Sequence, residues 1–218
     1  MHARMLSRML ATGLGLSINC CAIAAGPVNE AQWDGPSIRS GFHLSIADAG
    51  CVFAGLGASN SWNAVPADFA IVTDVFYSHP RVSEQTQDFN YANITIEDAA
   101  SLSGPYALME ARTLVAPGGG TIINSDIYVL RARLDPASAN GGFSCSLSDN
   151  VPQDEYDFES ALLHELGHSL GFHLTSEYQD DPSCAMYYGL QIGENRRELC
   201  DAERQEYIDS YGASADAN

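Results

Sequence analysis

The stretch from Asp157 to Gly171 leaves the chain little choice but to form a helix. Asp157 can accept from the first backbone N–H groups as an N-cap, and Gly171 can take the left-handed conformation that stops a helix. Leu163, Leu166 and Leu170 recur at helical spacing and supply an apolar stripe that has to be buried. Inside this segment residues 164–168 read His-Glu-Leu-Gly-His. Side chains four apart share one face of a helix, so His164 and His168 can bind a single ion through their imidazoles. Neutral imidazole suits zinc, whose catalytic sites use three protein ligands and keep one position for water. Glu165 adjoins the first ligand but is turned toward that water. Its carboxylate can take a proton as the water attacks a carbonyl, and then give it to the departing amine.

The remainder of the chain sets the context. Arg4 and Arg8 precede an uncharged, mostly apolar run from Met9 to Ile23 that ends in Ala22-Ile23-Ala24. This pattern predicts a signal peptide over residues 1–24 and one exported domain over 25–218. Gly13, Gly15 and Asn19 make the run a poor membrane anchor, since a spanning helix needs about 20 apolar residues. Cleavage there would take the cysteines from six to four, namely Cys51, Cys145, Cys184 and Cys200. An even number in an oxidising compartment predicts two disulfides, with three connectivities open. Cys184 with Cys200 is the favoured local pair, which leaves Cys51 with Cys145. The formal charge of −18, without a single lysine, excludes nucleic acid and anionic membranes as natural partners. Such an excess of carboxylates leaves calcium open as a further ion, but no spaced Asp/Asn loop of the helix–loop–helix kind is present. Nothing in the pattern sets an oligomeric state.

Strands are expected over residues 41–46, 69–76, 91–96 and, most clearly, 121–130, where β-branched residues follow Pro117-Gly118-Gly119-Gly120. Residues 49–63 carry helical spacing weakened by Gly50, Gly55 and Gly57, and residues 105–115 read as strand or short helix. Helices are expected over 158–170 and after Asp201, the latter as its N-cap, with Ile208 and Tyr211 on an apolar stripe beside Tyr207. The fold class is therefore α+β in a single domain. A twisted, mostly N-terminal sheet comes first, followed by the histidine-bearing helix, an irregular loop and a C-terminal helix.

At this level the sequence resembles a known family. His164-Glu165-Leu166-Gly167-His168-Ser169-Leu170-Gly171 is similar to the motif of the metzincin metalloproteases, and of their matrixin-like branch especially. Ser183-Cys184-Ala185-Met186-Tyr187-Tyr188 looks like the Met-turn of that family. The segment from Leu199-Cys200-Asp201 to Tyr211-Gly212 looks like the matrixin terminal helix. Residues 120–127 and Trp62-Asn63 are similar to the strand before the active-site loop and to the first helix. The resemblance implies a secreted zinc metalloendopeptidase acting on proteins or peptides. It gives Glu165 the acid–base role and places Met186 as an apolar floor under the metal. It also implies a third histidine at the position of Leu174, whereas this chain has His173, one residue early. His173 is the expected third ligand, with Asp180, Asp181 and Tyr178 as rivals. Tyr188 either reaches the metal or oxyanion or walls the pocket, and the two readings stand even. His43 and His79 are isolated and read as surface or core histidines. Two other readings remain. One is a zinc protease whose third ligand is a distant glutamate, against which Gly171 and the Met-turn both speak. The other is a catalytically silent binding domain that keeps the fold without the metal.

Overall fold

The computed structural model describes residues 31–43, 46, 50–74, 93–104, 107–135, 137–138, 141–172, 178 and 180–214. The expected signal peptide, His79 and His173 lie outside the described residues.

Among the described residues eight strands and three α-helices follow one another as β1 (Gln32–Trp33), β2 (Ser37–Phe42), α1 (Val52–Asn63), β3 (Ala70–Asp74), β4 (Asn93–Ala99), β5 (Met109–Val115), β6 (Thr121–Leu130), β7 (Phe143–Ser144), β8 (Tyr156–Asp157), α2 (Phe158–Ser169) and α3 (Asp201–Tyr211). The mixed architecture agrees with the expected class. The main sheet is chiefly parallel: β3, β2, β4 and β6 run side by side, and β1 joins the same side of β6 as β4. On the other side of β6 lies β5, the one antiparallel strand of this sheet. Parallel neighbours need a crossover, and α1 supplies it between β2 and β3. β7 and β8 form a separate short pair that leads directly into α2.

The core lies between the sheet and the α1–α2 pair. Ile38, Phe42, Ile94, Ile96 and Ile127 come from the sheet, and Trp62, Leu162, Leu163 and Leu166 from the helices. Glycines set the closeness of this contact. A Cβ on Gly55 would sit 2.2 Å from the Phe42 ring, and one on Gly57 would meet the Glu159 carboxylate at 2.3 Å. The glycines that weaken the sequence signal for α1 are thus what lets it dock.

Several boundaries differ from expectation. The first long strand is Ser37–Phe42, earlier than 41–46, because its parallel register with β3 and β4 spans residues 37–42. Residues 109–115 are strand rather than helix, fixed by pairing with β6. The N-cap of α3 is Cys200, and Asp201 is the first helical residue. The Glu203 carboxylate reaches back to the Cys200 N–H at 2.7 Å and closes a capping box that Asp201 would otherwise serve. Both expected disulfides are present, Cys51–Cys145 and Cys184–Cys200. No described helix is long and apolar enough to cross a membrane.

Candidate metal centre

α2 is held at both ends by buried polar groups. At its start Asp157, fully buried, accepts from the Ser160 N–H at 2.9 Å, so the expected N-cap is in place. The same carboxylate takes two bonds from Arg197, at 2.9 and 2.6 Å. That hydrogen-bonded ion pair, with Asp157 first among its causes, lifts the Arg197 pKa above its ordinary value. At the other end Gly171 has φ +96°, Phe172 N–H bonds to the Gly167 carbonyl and Gly171 N–H to the His168 carbonyl. These are the two bonds of a Schellman motif. Trp33 Nε1–H and the Tyr211 hydroxyl donate to the last carbonyls, those of Ser169 and Leu170, both at 2.8 Å. A ladder of hydroxyls, Thr113 to Ser125 at 3.1 Å and Ser125 to Ser169 at 2.8 Å, pins the helix to β5 and β6.

This clamping aims two imidazoles at one point. His164 Nδ1 lies 2.9 Å from the Ala185 carbonyl, and His168 Nδ1 lies 2.9 Å from the Phe172 carbonyl. A carbonyl only accepts, so each Nδ1 carries the proton and each Nε2 presents a lone pair. The two Nε2 atoms stand 3.1 Å apart. Burial, followed by the neighbouring His168, holds the His164 pKa down to about 3, which keeps that ring neutral. Two neutral acceptors facing each other at that distance repel unless a cation lies between them. Ligands at 2.0–2.1 Å from a tetrahedral zinc are separated by about 3.3 Å, so the pair fits such an ion.

Glu165 sits beside this pair, 3% exposed, with Oε2 accepting from the Ala111 N–H of β5 at 2.8 Å. Burial raises its pKa to about 8, against the lowering effect of the Ala111 bond and with a smaller push from Glu110. Among the described residues no carboxylate groups with the two imidazoles as a third donor. The one cluster of three donors among the described residues is Cys184, Cys200 and Glu203, whose cysteines are joined to each other. It offers no thiolate pair for a metal, and no group of carboxylates there points to calcium. Asp180 and Asp181 are exposed, and Asp181 accepts from the Ser183 N–H at 2.9 Å and its hydroxyl at 2.7 Å. Those bonds lower its pKa. Tyr178 is fully buried. His43 ends the β2 ladder, its N–H on the Ile96 carbonyl at 2.8 Å.

Met186 is fully buried under the helix, and its Sδ lies so close to Gly167 that a Cβ there would stand 2.2 Å from it. The turn around it is fastened by the Cys184–Cys200 disulfide and by Glu203, whose other oxygen accepts from the Met186 N–H at 2.5 Å. Glu203 therefore holds both the turn that carries the Ala185 carbonyl and the start of α3. Its only sequence signal is a carboxylate three residues after Cys200. The rings of Tyr187 and Tyr188 lie 4.6 Å apart, tilted by 37°, and wall a cleft that opens beside His164 and Glu165. Tyr188 lines the cleft beside His164, a position that fits either of its two readings.

The Gly167–Met186 contact gives a first expected outcome. Ala in place of Gly inside a helix normally stabilises by about 1 kcal/mol. Here Gly167→Ala should destabilise by about 1–3 kcal/mol through overpacking against Met186, read as a lower urea midpoint. An unchanged or higher midpoint would mean that Met186 does not press on this face.

No protein-family model and no curated protein sequence matches this chain. Among solved structures it is similar to high choriolytic enzyme 1, a hatching enzyme zinc-protease from the medaka fish Oryzias latipes, with 13% identity over 88% of this chain and 99% of that one and a TM-score of 0.42. It is also similar to myroilysin, with 11% identity over 91% and 93% and a TM-score of 0.43. A third is metalloproteinase-II from Bacteroides fragilis, with 10% identity over 88% and 58% and a TM-score of 0.43. Overlaps of this quality do not transfer an activity to this chain, whose chemistry has to come from its own residues.

Proposed function

We propose that the chain is a secreted zinc metalloendopeptidase. The observation that carries this reading is the pair of Nε2 lone pairs 3.1 Å apart, each fixed by a backbone carbonyl on the far nitrogen of its ring. Such carbonyl partners set the tautomer and orientation that a metal-bound histidine needs. His164 and His168 would hold the ion, with His173 as the proposed third ligand. The exposed, Ser183-bound carboxylate of Asp181 favours the histidine, as does the preference of zinc for imidazole. Zinc, when bound, supplies a Lewis acid that polarises a carbonyl and acidifies a water.

The chain's own groups do the rest. Glu165 lies on the cleft wall next to His164, where a bound cation would favour its ionised form, so that its carboxylate can take the proton of an attacking water and deliver it to the leaving amine. The Ala111 N–H holds that carboxylate in place. Met186 gives the site a dry floor, and the two disulfides suit an oxidising, extracellular setting. The alternative, a silent binding domain, would leave two imidazole acceptors opposed for no chemical return.

The test is cleavage of a denatured protein by the purified chain, with and without a chelator. The expected result is cleavage that stops on chelation and returns with added zinc. A folded chain that takes up no zinc and cuts nothing would favour the silent reading. For the third ligand, His173→Ala should lose zinc while Asp180→Ala and Asp181→Ala keep it. Zinc loss in an aspartate variant with a normal histidine variant would reassign the ligand.

A further inference from the structure

The loop from Tyr187 to Arg196 contributes Tyr187, Tyr188 and Leu190 to the wall of the cleft, yet it contains no helix or strand. Irregular backbone has no ladder to hold it, so its polar groups need other partners. Arg196, whose side chain is 8% exposed, closes the loop on itself. Its Nη1 donates to the Tyr187 carbonyl at 3.3 Å and its Nη2 to the Gly189 carbonyl at 2.8 Å. Nη2 also pairs with one oxygen of Glu194 at 2.5 Å, and the other oxygen accepts from the Gln191 N–H at 2.8 Å. The guanidinium carbon lies over the Tyr187 ring, 5.1 Å from its centroid. The Arg196 N–H reaches the Ser160 hydroxyl at 2.6 Å, which ties the loop to the first turn of α2. One guanidinium thus gathers the backbone at Tyr187, Gly189 and, through Glu194, Gln191. Tyr188 and Leu190, which line the cleft, lie between those anchors.

Resting on the peptidase reading, we propose that Arg196 is a positioning residue that holds this wall in its binding shape before substrate arrives. It acts through Tyr187, Tyr188 and Leu190 and makes no bond to substrate. A loop fixed in advance has little freedom left to lose on binding, so less of the interaction energy goes into ordering it. Without the guanidinium the Tyr187 and Gly189 carbonyls would lose their donors, and each substrate would have to order the wall for itself. Lysine cannot take over the task, because its ammonium is a compact charge without the planar fork.

The experiment uses peptides identical except for leucine or alanine, placed in turn at each position. Cleavage kinetics are measured with zinc-loaded protein, and equilibrium binding by fluorescence anisotropy with zinc-loaded Glu165→Gln protein. The unaltered chain should favour leucine, which reaches the apolar walls of Leu108, Met109 and Leu190. Arg196→Met and Arg196→Lys should each weaken leucine-peptide binding about tenfold, with the loss falling on KM far more than on kcat, and should flatten the preference. Glu194→Ala cuts the Gln191 tie but leaves both carbonyl bonds, so its change should be smaller and in the same direction. A side chain that merely stabilised the fold would lower the amount of active protein and leave KM and the preference alone. Unchanged KM and preference in Arg196→Met overturn the inference, as does full recovery in Arg196→Lys. If neither Arg196 variant folds, an unchanged Glu194→Ala protein overturns it. So does equal handling of the two peptides by the unaltered chain. Leucine-selective binding that disappears in Arg196→Met, with no cleavage by any form, supports the inference and counts against the peptidase. Cleavage with an unmoved KM does the reverse, and neither binding nor cleavage overturns both.

Discussion

Glu165→Ala should keep its zinc and lose peptidase activity by roughly 10²–10⁴-fold or more, the contribution of a positioned general acid–base. Glu165 is on the helix that bears both imidazoles but does not converge with them as a third donor, so removing it takes nothing from the ion. The substitution does orphan the Ala111 N–H, at a cost of about 1–3 kcal/mol in stability. Glu165→Gln separates the two effects. Its amide oxygen still accepts from Ala111 but cannot shuttle a proton at neutral pH, so stability should return while activity does not. Turnover comparable to the unaltered enzyme in either zinc-loaded variant would remove Glu165 from the chemistry.

The largest stability effect is expected at Arg197, which is not among the residues lining the cleft. Asp157 is fully buried, caps α2 and depends on Arg197 for two of its hydrogen bonds. Arg197 itself has a side-chain exposure of 12% and also approaches Glu159 at 3.4 Å. Removing one partner of a buried pair leaves the other as an uncompensated charge, which typically costs about 3–5 kcal/mol. Arg197→Met should therefore unfold at a markedly lower denaturant concentration. Pairing it with Asp157→Asn should recover part of the loss, since the neutral amide no longer needs a counter-charge. A single variant within about 0.5 kcal/mol of the parent would show that the pair is solvated in solution.

The elements nearest the site were the most legible from residues alone. α2 announces itself through its cap, its leucines and Gly171, and the structure starts it at Phe158 behind the Asp157 cap, as expected. β6 runs over Thr121–Leu130 as its β-branched content predicts. β5 was ambiguous because Met109-Glu110-Ala111-Arg112 are helix-forming residues. Its strand state is set by seven paired positions on β6, a long-range fact that local propensity cannot carry. β2 was displaced because Ser40, Gly41 and neighbouring polar residues hide a strand whose burial depends on partners on both sides. In the site, helical spacing brought His164 and His168 together on paper. The carbonyls of Ala185 and Phe172 that aim them are backbone groups and leave no mark in side-chain identity. No local pattern sets Glu203, Arg196 and Arg197 apart among the charges of a strongly acidic chain, and only the packing of the final loop against α2 gives them partners.

The central claim is that the imidazoles of His164 and His168 hold zinc, and metal analysis joined to X-ray absorption on the purified chain tests it most directly. The account predicts one zinc per chain, with imidazole nitrogens in its shell at about 2.0–2.1 Å, and loss of that zinc in His168→Ala. A folded chain that takes up no zinc, or that holds it unchanged in His168→Ala, would contradict it.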